Sequence, residues 1–244
     1  MSSVSISKPG WLLAILPAVF WTPASAATPL DQFVYAQDPA YTYRVADTDE
    51  DLFHTRHTLF MTSGTWREDA EVDRTSWDHW VTIYVPRVLT SNTALLVISG
   101  GSNDSPPDFD EFDNTVGPLS LFSGSVIVNL GQVPNQPLTF TGEATGRSED
   151  ALLAYSWQQF LENPADVNWP AHLPMTRAAV RAMDAVQDHV SQVCPDDPIT
   201  DFIVAGASKR GWTTWLAAAV ENGPLGQGRV SAIIPMVIDV LNTE

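Results

Sequence analysis

The chain has 244 residues, 44% of them hydrophobic, which is enough for one sizeable core and excludes a disordered polar tract. Its formal charge of −17 repels nucleic acid and anionic lipid, so neither is an expected partner. The single cysteine, Cys194, rules out an internal disulfide, so stability must come from the core.

The first residues stand apart from the rest. Lys8 precedes an apolar run over residues 11–21, and Ala24-Ser25-Ala26 follows. A charged start, a short apolar stretch and a small-residue cleavage site make a secretory signal peptide. The run is too short to span a bilayer and contains Pro17. Residues 1–26 are therefore expected to be removed on export, leaving one domain over 27–244 and no stable membrane insertion. Removal takes away Lys8 and no acidic residue, so the mature chain is one unit more negative. Export without disulfides suits a periplasmic or secreted bacterial protein.

Residues 28–48, with Tyr35, Tyr41 and Tyr43, read as an extension leading into strands. Residues 55–66 predict a strand with a turn at Gly64, and the alternating residues 81–85 predict another that ends at Pro86. Continuous apolar runs follow at 94–98, 125–130, 201–205 and 230–238, the pattern of strands buried on both faces of a parallel sheet. Between them, residues 148–161, 175–193 (after Pro174) and 213–220 carry helical spacing. The alternation predicts an α/β fold with a mostly parallel sheet and flanking helices. The acidic residues 104–113 lack calcium-loop spacing and read as a solvated loop near the pocket. Trp212 and Trp215 share one helix face and read as core. No metal or cofactor is expected.

The chemistry gathers at Gly206-Ala207-Ser208-Lys209-Arg210-Gly211, between an apolar strand and a helix. Strand, sharp turn with serine, and helix make the nucleophile elbow of α/β-hydrolases. Small residues at 206 and 207 permit the turn, and the Lys209 N–H after the serine is the expected oxyanion donor. The second glycine of the usual G-x-S-x-G pattern is displaced by one, with Arg210 in its place. Two cations at a helix start oppose its dipole, so Lys209 and Arg210 need an anionic substrate or acidic neighbours such as Glu143, Glu149 or Asp150. Gly100-Gly101, after an early buried strand, supplies the position of the other oxyanion donor. Asp239, after the next strand, is the expected acid. The order in this fold is serine, acid, histidine. Yet His54, His57, His79, His172 and His189 all precede Ser208, and each reads as a surface or helix-face residue.

Residues 29–41, Gly146-Arg147-Ser148-Glu149-Asp150-Ala151, residues 206–215 and Val237-Ile238-Asp239-Val240-Leu241-Asn242 together resemble the PhoPQ-activated pathogenicity-related family. The resemblance implies an exported α/β-hydrolase-like protein, tied to bacterial virulence regulation or, in a eukaryotic branch, to secreted proliferation repressors. It also implies members longer than this chain, so a sheet truncated after the strand following the elbow is expected. The reading is a secreted serine hydrolase acting through Ser208 on an unidentified ester or amide, small molecule or peptide. The alternatives are a non-catalytic secreted binding or signalling protein, and an inactive fragment.

Overall fold

The computed structural model describes residues 26–107 and 110–238, with backbone alone for 110–116. The signal-peptide residues before Ala26 and the expected acid Asp239 lie outside the described residues.

Helix α1 (Pro29–Tyr35) opens the fold where the sequence predicted only an extension. Its start is built from local chemistry. Thr28 accepts a hydrogen bond from the Asp31 N–H, Asp31 accepts one from the Thr28 N–H, and Pro29 occupies the first turn, where no N–H is needed. Strands β1 (Thr42–Glu50), β2 (His54–Thr65) and β3 (Ser76–Pro86) then form an antiparallel meander. Gly64 is no turn. It lies inside β2 at a bulge, with φ +137°, and a Cβ there would come within 2.7 Å of both Arg177 and Asp38. The bulge makes room for the buried Arg177–Asp38 ion pair.

Strand β4 (Thr93–Ile98), helix α2 (Asp110–Ser123), β5 (Ile127–Leu130), helices α3 (Glu149–Glu162) and α4 (His172–Val193), β6 (Asp201–Ala207), α5 (Lys209–Glu221) and β7 (Val230–Met236) complete the chain. Helix α2 corrects the reading of residues 104–113 as loop throughout, since it begins at Asp110.

One seven-stranded sheet results, in the order β1-β2-β3-β5-β4-β6-β7. Pairing is antiparallel from β1 to β5 and parallel from β5 to β7, so the sheet is mixed in halves. The apolar runs of the sequence fill its parallel half. This is an α/β fold with helices flanking the sheet. The amphipathic α4 buries Met175, Ala179, Ala182, Met183, Val186 and Val190 in the core.

The chain leaves β4 for β5 on one side and later returns to place β6 on the other. The sheet therefore has a switch point at the carboxyl ends of β4, β5 and β6. A crevice opens there because the connections diverge to both sides. Among the described residues no helix is long and apolar enough to cross a membrane.

Candidate functional site

Strands β4 and β6 run parallel with Ile98 beside Gly206, so their following turns emerge together. The turn after β6 carries Ser208, exposed, with φ 56° and ψ −125°. A non-glycine residue with positive φ is strained by about 1–3 kcal/mol and persists only where its surroundings fix it. Here the Ser208 N–H donates to the Met236 carbonyl at 2.8 Å, and the Ser208 carbonyl accepts from Trp212 N–H at 3.1 Å. The turn also demands glycine at 206, where a Cβ would lie 2.6 Å from the Arg210 carbonyl oxygen and 2.9 Å from Thr214 Oγ1.

The displaced glycine of the motif has a packing reason. At Gly211 a Cβ would stand 2.8 Å from the Ile238 side chain and 2.9 Å from the Met236 carbonyl oxygen, so the residues that follow β7 need the space. Arg210 needs none of it, because its side chain reaches the other way, onto Gly100.

A cavity of about 1080 Å³ lies at the switch point. It is lined by Ser208 and Arg210 from the β6–α5 turn, by Gly100 and Gly101 after β4, by Gln132 after β5, and by Trp80 of β3. The sequence thus located both the serine and the glycine loop in one cleft. The loop's carbonyls are engaged by the segment after β5. Gly100 oxygen accepts from Gln132 N–H at 2.7 Å, and Gly101 oxygen accepts from Gln136 Nε2 at 3.0 Å. Peptide planarity then turns the Gly101 and Ser102 N–H groups away from that segment. Lys209 is the first residue of α5, so its N–H has no partner within the helix.

The two cations have acidic partners, as their position required. Lys209 Nζ pairs with Glu149 and, at 3.0 Å, with Asp150. Arg210 donates to Glu149 Oε1 at 2.7 Å and to the Val133 carbonyl at 2.6 Å. Glu143 pairs with Arg147 instead. Partial burial pushes the Glu149 carboxyl up, but hydrogen bonds from Lys209, Arg210 and Gln136 outweigh it and hold its pKa at about 2.

None of the five histidines lines the cavity. Four are buried elsewhere. His172 and His189 lie on helix α4, whereas His57 and His79 sit in strands β2 and β3, against the expectation of surface or helix-face positions. His79 is enclosed in β3 between Ser63 and the Gly131 carbonyl. His57 and His189 meet edge to face at 4.6 Å. His172 accepts from Trp157 Nε1 and packs on Trp212 at 4.1 Å. Trp212 is half-buried in that stack, whereas Trp215 is 54% exposed and is not core. Sequence reasoning missed Gln132, Gln136 and Trp80. The first two sit in Gln132-Val133-Pro134-Asn135-Gln136-Pro137, whose amide side chains and prolines mark an ordered loop. Asn135 pins that loop to β3 through Asp78.

The family model for the PhoPQ-activated pathogenicity-related protein matches residues 30–244. The chain belongs to that family. A curated relative is Autocrine proliferation repressor protein A of Dictyostelium discoideum, 41% identical over 231 residues. That match covers 95% of this chain and 44% of the relative, so this PhoPQ-related chain spans less than half the relative's length. Solved structures with a similar layout include the acetyl xylan esterase from Paenibacillus sp. R4, with 14% identity and a TM-score of 0.49 over 88% of this chain and 62% of that one. Acetyl Xylan Esterase 1 from Thermoanaerobacterium sp. JW/SL YS485 gives 15% identity and a TM-score of 0.45 over 85% and 58%. The rice cell wall degrading esterase LipA from Xanthomonas oryzae gives 13% and 0.45 over 80% and 48%.

Proposed function

We propose that this chain carries the nucleophile and oxyanion half of a secreted or periplasmic serine hydrolase acting on an ester or amide. The observation that supports the reading most is the strained Ser208 at a strand-to-helix turn, opening into the switch-point cleft. Ser208 Oγ attacks the substrate carbonyl carbon, and its proton passes to a base. The carbonyl oxygen gains charge and is held by the Lys209 N–H and the Gly101 N–H. Arg210 borders the cleft, and its bonds to Glu149 and Val133 hold it there as part of the wall. Asp239, which follows β7, is the proposed acid. The substrate is a small ester, an amide or a peptide. Nucleic acid is not a partner of so acidic a surface.

A serine hydroxyl without a base is a weak nucleophile, and loss of a triad member can cost on the order of a millionfold in turnover. The 244 residues supply no histidine to this cleft, so by themselves they should turn over very slowly. The same observation favours a second reading, a secreted binding or signalling protein that keeps the fold without the chemistry.

Fluorophosphonate labelling of the full-length gene product separates the two. The hydrolase reading expects one label, on Ser208, abolished by Ser208→Ala. An unlabelled, folded protein would leave the binding reading. Export is checked by the mature N-terminus, expected at Ala27, and intact Met1 would overturn it.

A further inference from the structure

Glu149 occupies an unusual place. It is the first residue of α3, yet its backbone φ is +50°, the left-handed region that a glutamate rarely adopts. Its N–H donates to Gln136 Oε1 at 2.7 Å, and its Oε1 accepts from Gln136 Nε2 at 2.6 Å, so one glutamine grips it at both ends. The same Gln136 Nε2 also donates to the Gly101 carbonyl at 3.0 Å. Meanwhile the Glu149 carboxylate receives Lys209 and Arg210, the two residues directly after Ser208. Arg210 is in turn fixed against Gly100 and bonded to Val133.

These contacts close a ring. From the elbow it runs through Lys209 and Arg210 to Glu149, then through Gln136 to Gly101, and back through Gly100 to Arg210. The ring has one carboxylate, and its side-chain bonds all meet at Glu149, Arg210 or Gln136. Strained backbone of this kind persists where surrounding bonds over-determine it, and it collects at functional sites.

We propose that Glu149 is a positioning residue that ties the Ser208 turn to the Gly100–Gly101 loop and so sets the spacing of the two oxyanion donors. The proposal rests on the hydrolase reading for its catalytic consequence, though not for the tie itself. The spacing matters because a donor displaced by about 1 Å loses on the order of a hundredfold in rate.

The test compares the wild-type full-length protein with Glu149→Gln and Gln136→Met. Glu149→Gln turns an amide N–H₂ toward one of the two cations and removes the charge that holds both. Gln136→Met removes the bonds of the glutamine to both Glu149 and Gly101 but keeps the Glu149 charge that holds Lys209 and Arg210, so the test stays available if the first variant does not fold. Amide hydrogen exchange should accelerate at least tenfold in peptides covering both 99–103 and 206–212, and not in peptides from α4. Turnover of p-nitrophenyl acetate per fluorophosphonate-titrated site should fall 10- to 100-fold with KM within threefold. Inhibition by phenylboronic acid, which mimics the tetrahedral state, should weaken by the same factor. A variant that merely lost folded protein would lower the titrated fraction and leave turnover per site and boronate affinity unchanged. Exchange within threefold of wild type in both loops, in both variants, overturns the proposal. Failure of wild type to label at Ser208 defeats the hydrolase reading, and the exchange result then decides the tie alone.

Discussion

The guanidinium of Arg210 lies against the α-carbon of Gly100, with Nη2 2.6 Å from the point where a Cβ would stand. Nothing there can move cheaply, since Arg210 is bonded to the Val133 carbonyl at 2.6 Å and to Glu149 at 2.7 Å. Gly100→Ala should therefore push the guanidinium out of its bonds. The expected outcome is a loss of about 1–3 kcal/mol in urea unfolding, the usual range for overpacking a filled site. Labelling of Ser208 by a fluorophosphonate should slow at least tenfold. A variant with unchanged stability and unchanged labelling would show that the loop yields freely.

At the far end of α5 sits a second ionic centre, with no part in the cleft. Glu221 is fully buried and accepts from Arg229 at 2.9 and 2.6 Å and from the Tyr35 hydroxyl at 2.7 Å. Arg229 also donates to Asp184 and Gln187. Removing one partner leaves an uncompensated charge in the core, so Arg229→Met should cost about 3–5 kcal/mol in thermal or urea unfolding. The double change Arg229→Met with Glu221→Leu should recover much of that loss. If the double variant is no better than the single one, the cost is packing rather than charge.

Acid should weaken the fold in two stages. Burial holds the pKa of His79 and His172 at about 4, and burial together with the neighbouring His189 does the same for His57. A depressed histidine contributes stability fully present above its unfolded pKa of about 6.5 and lost as pH falls toward 4. Glu149, held at about 2, contributes stability present above about 4.5 and lost between there and 2. Urea midpoints measured from pH 8 to 3 should be flat at first, decline below 6.5 and steepen below 4.5. Of the order of 3 kcal/mol of the first decline should disappear in a folded His79→Gln variant. A flat profile down to pH 5 would mean that these rings are hydrated in solution.

The readable parts of the sequence were those set by local chemistry. Residues 202–205 are apolar without interruption because β6 has neighbours on both edges and helices over its faces, and the turn after it must be small. That combination placed Ser208 correctly. The three helices read at 148–161, 175–193 and 213–220 all exist, with starts shifted by one to four residues. What could not be read depended on distant partners. Gly64 looks like a turn glycine until Arg177, over a hundred residues later, is seen to fill the bulge it makes. Trp215 has the spacing of a core residue, but its side of α5 is exposed. Helix α2 was hidden by its acidic start and by Pro118 within it. The Glu149 ring was half legible, for charge alone called for an acid beside Lys209 and Arg210. Its link to Gly101 runs through Gln136, a residue with no motif to announce it.

The hydroxyl of Tyr35 finds its acceptor, Glu221, 186 positions along the chain. A ribosome adding about 5–20 residues per second needs about 10–40 s to bridge that interval. Helix α1 has only 7 residues, far short of the length at which a helix is stable alone. Helix α1 therefore cannot complete this contact until a segment made much later is available. The Tyr35 anchor of α1 thus becomes available only once the far end of the elbow helix has been made.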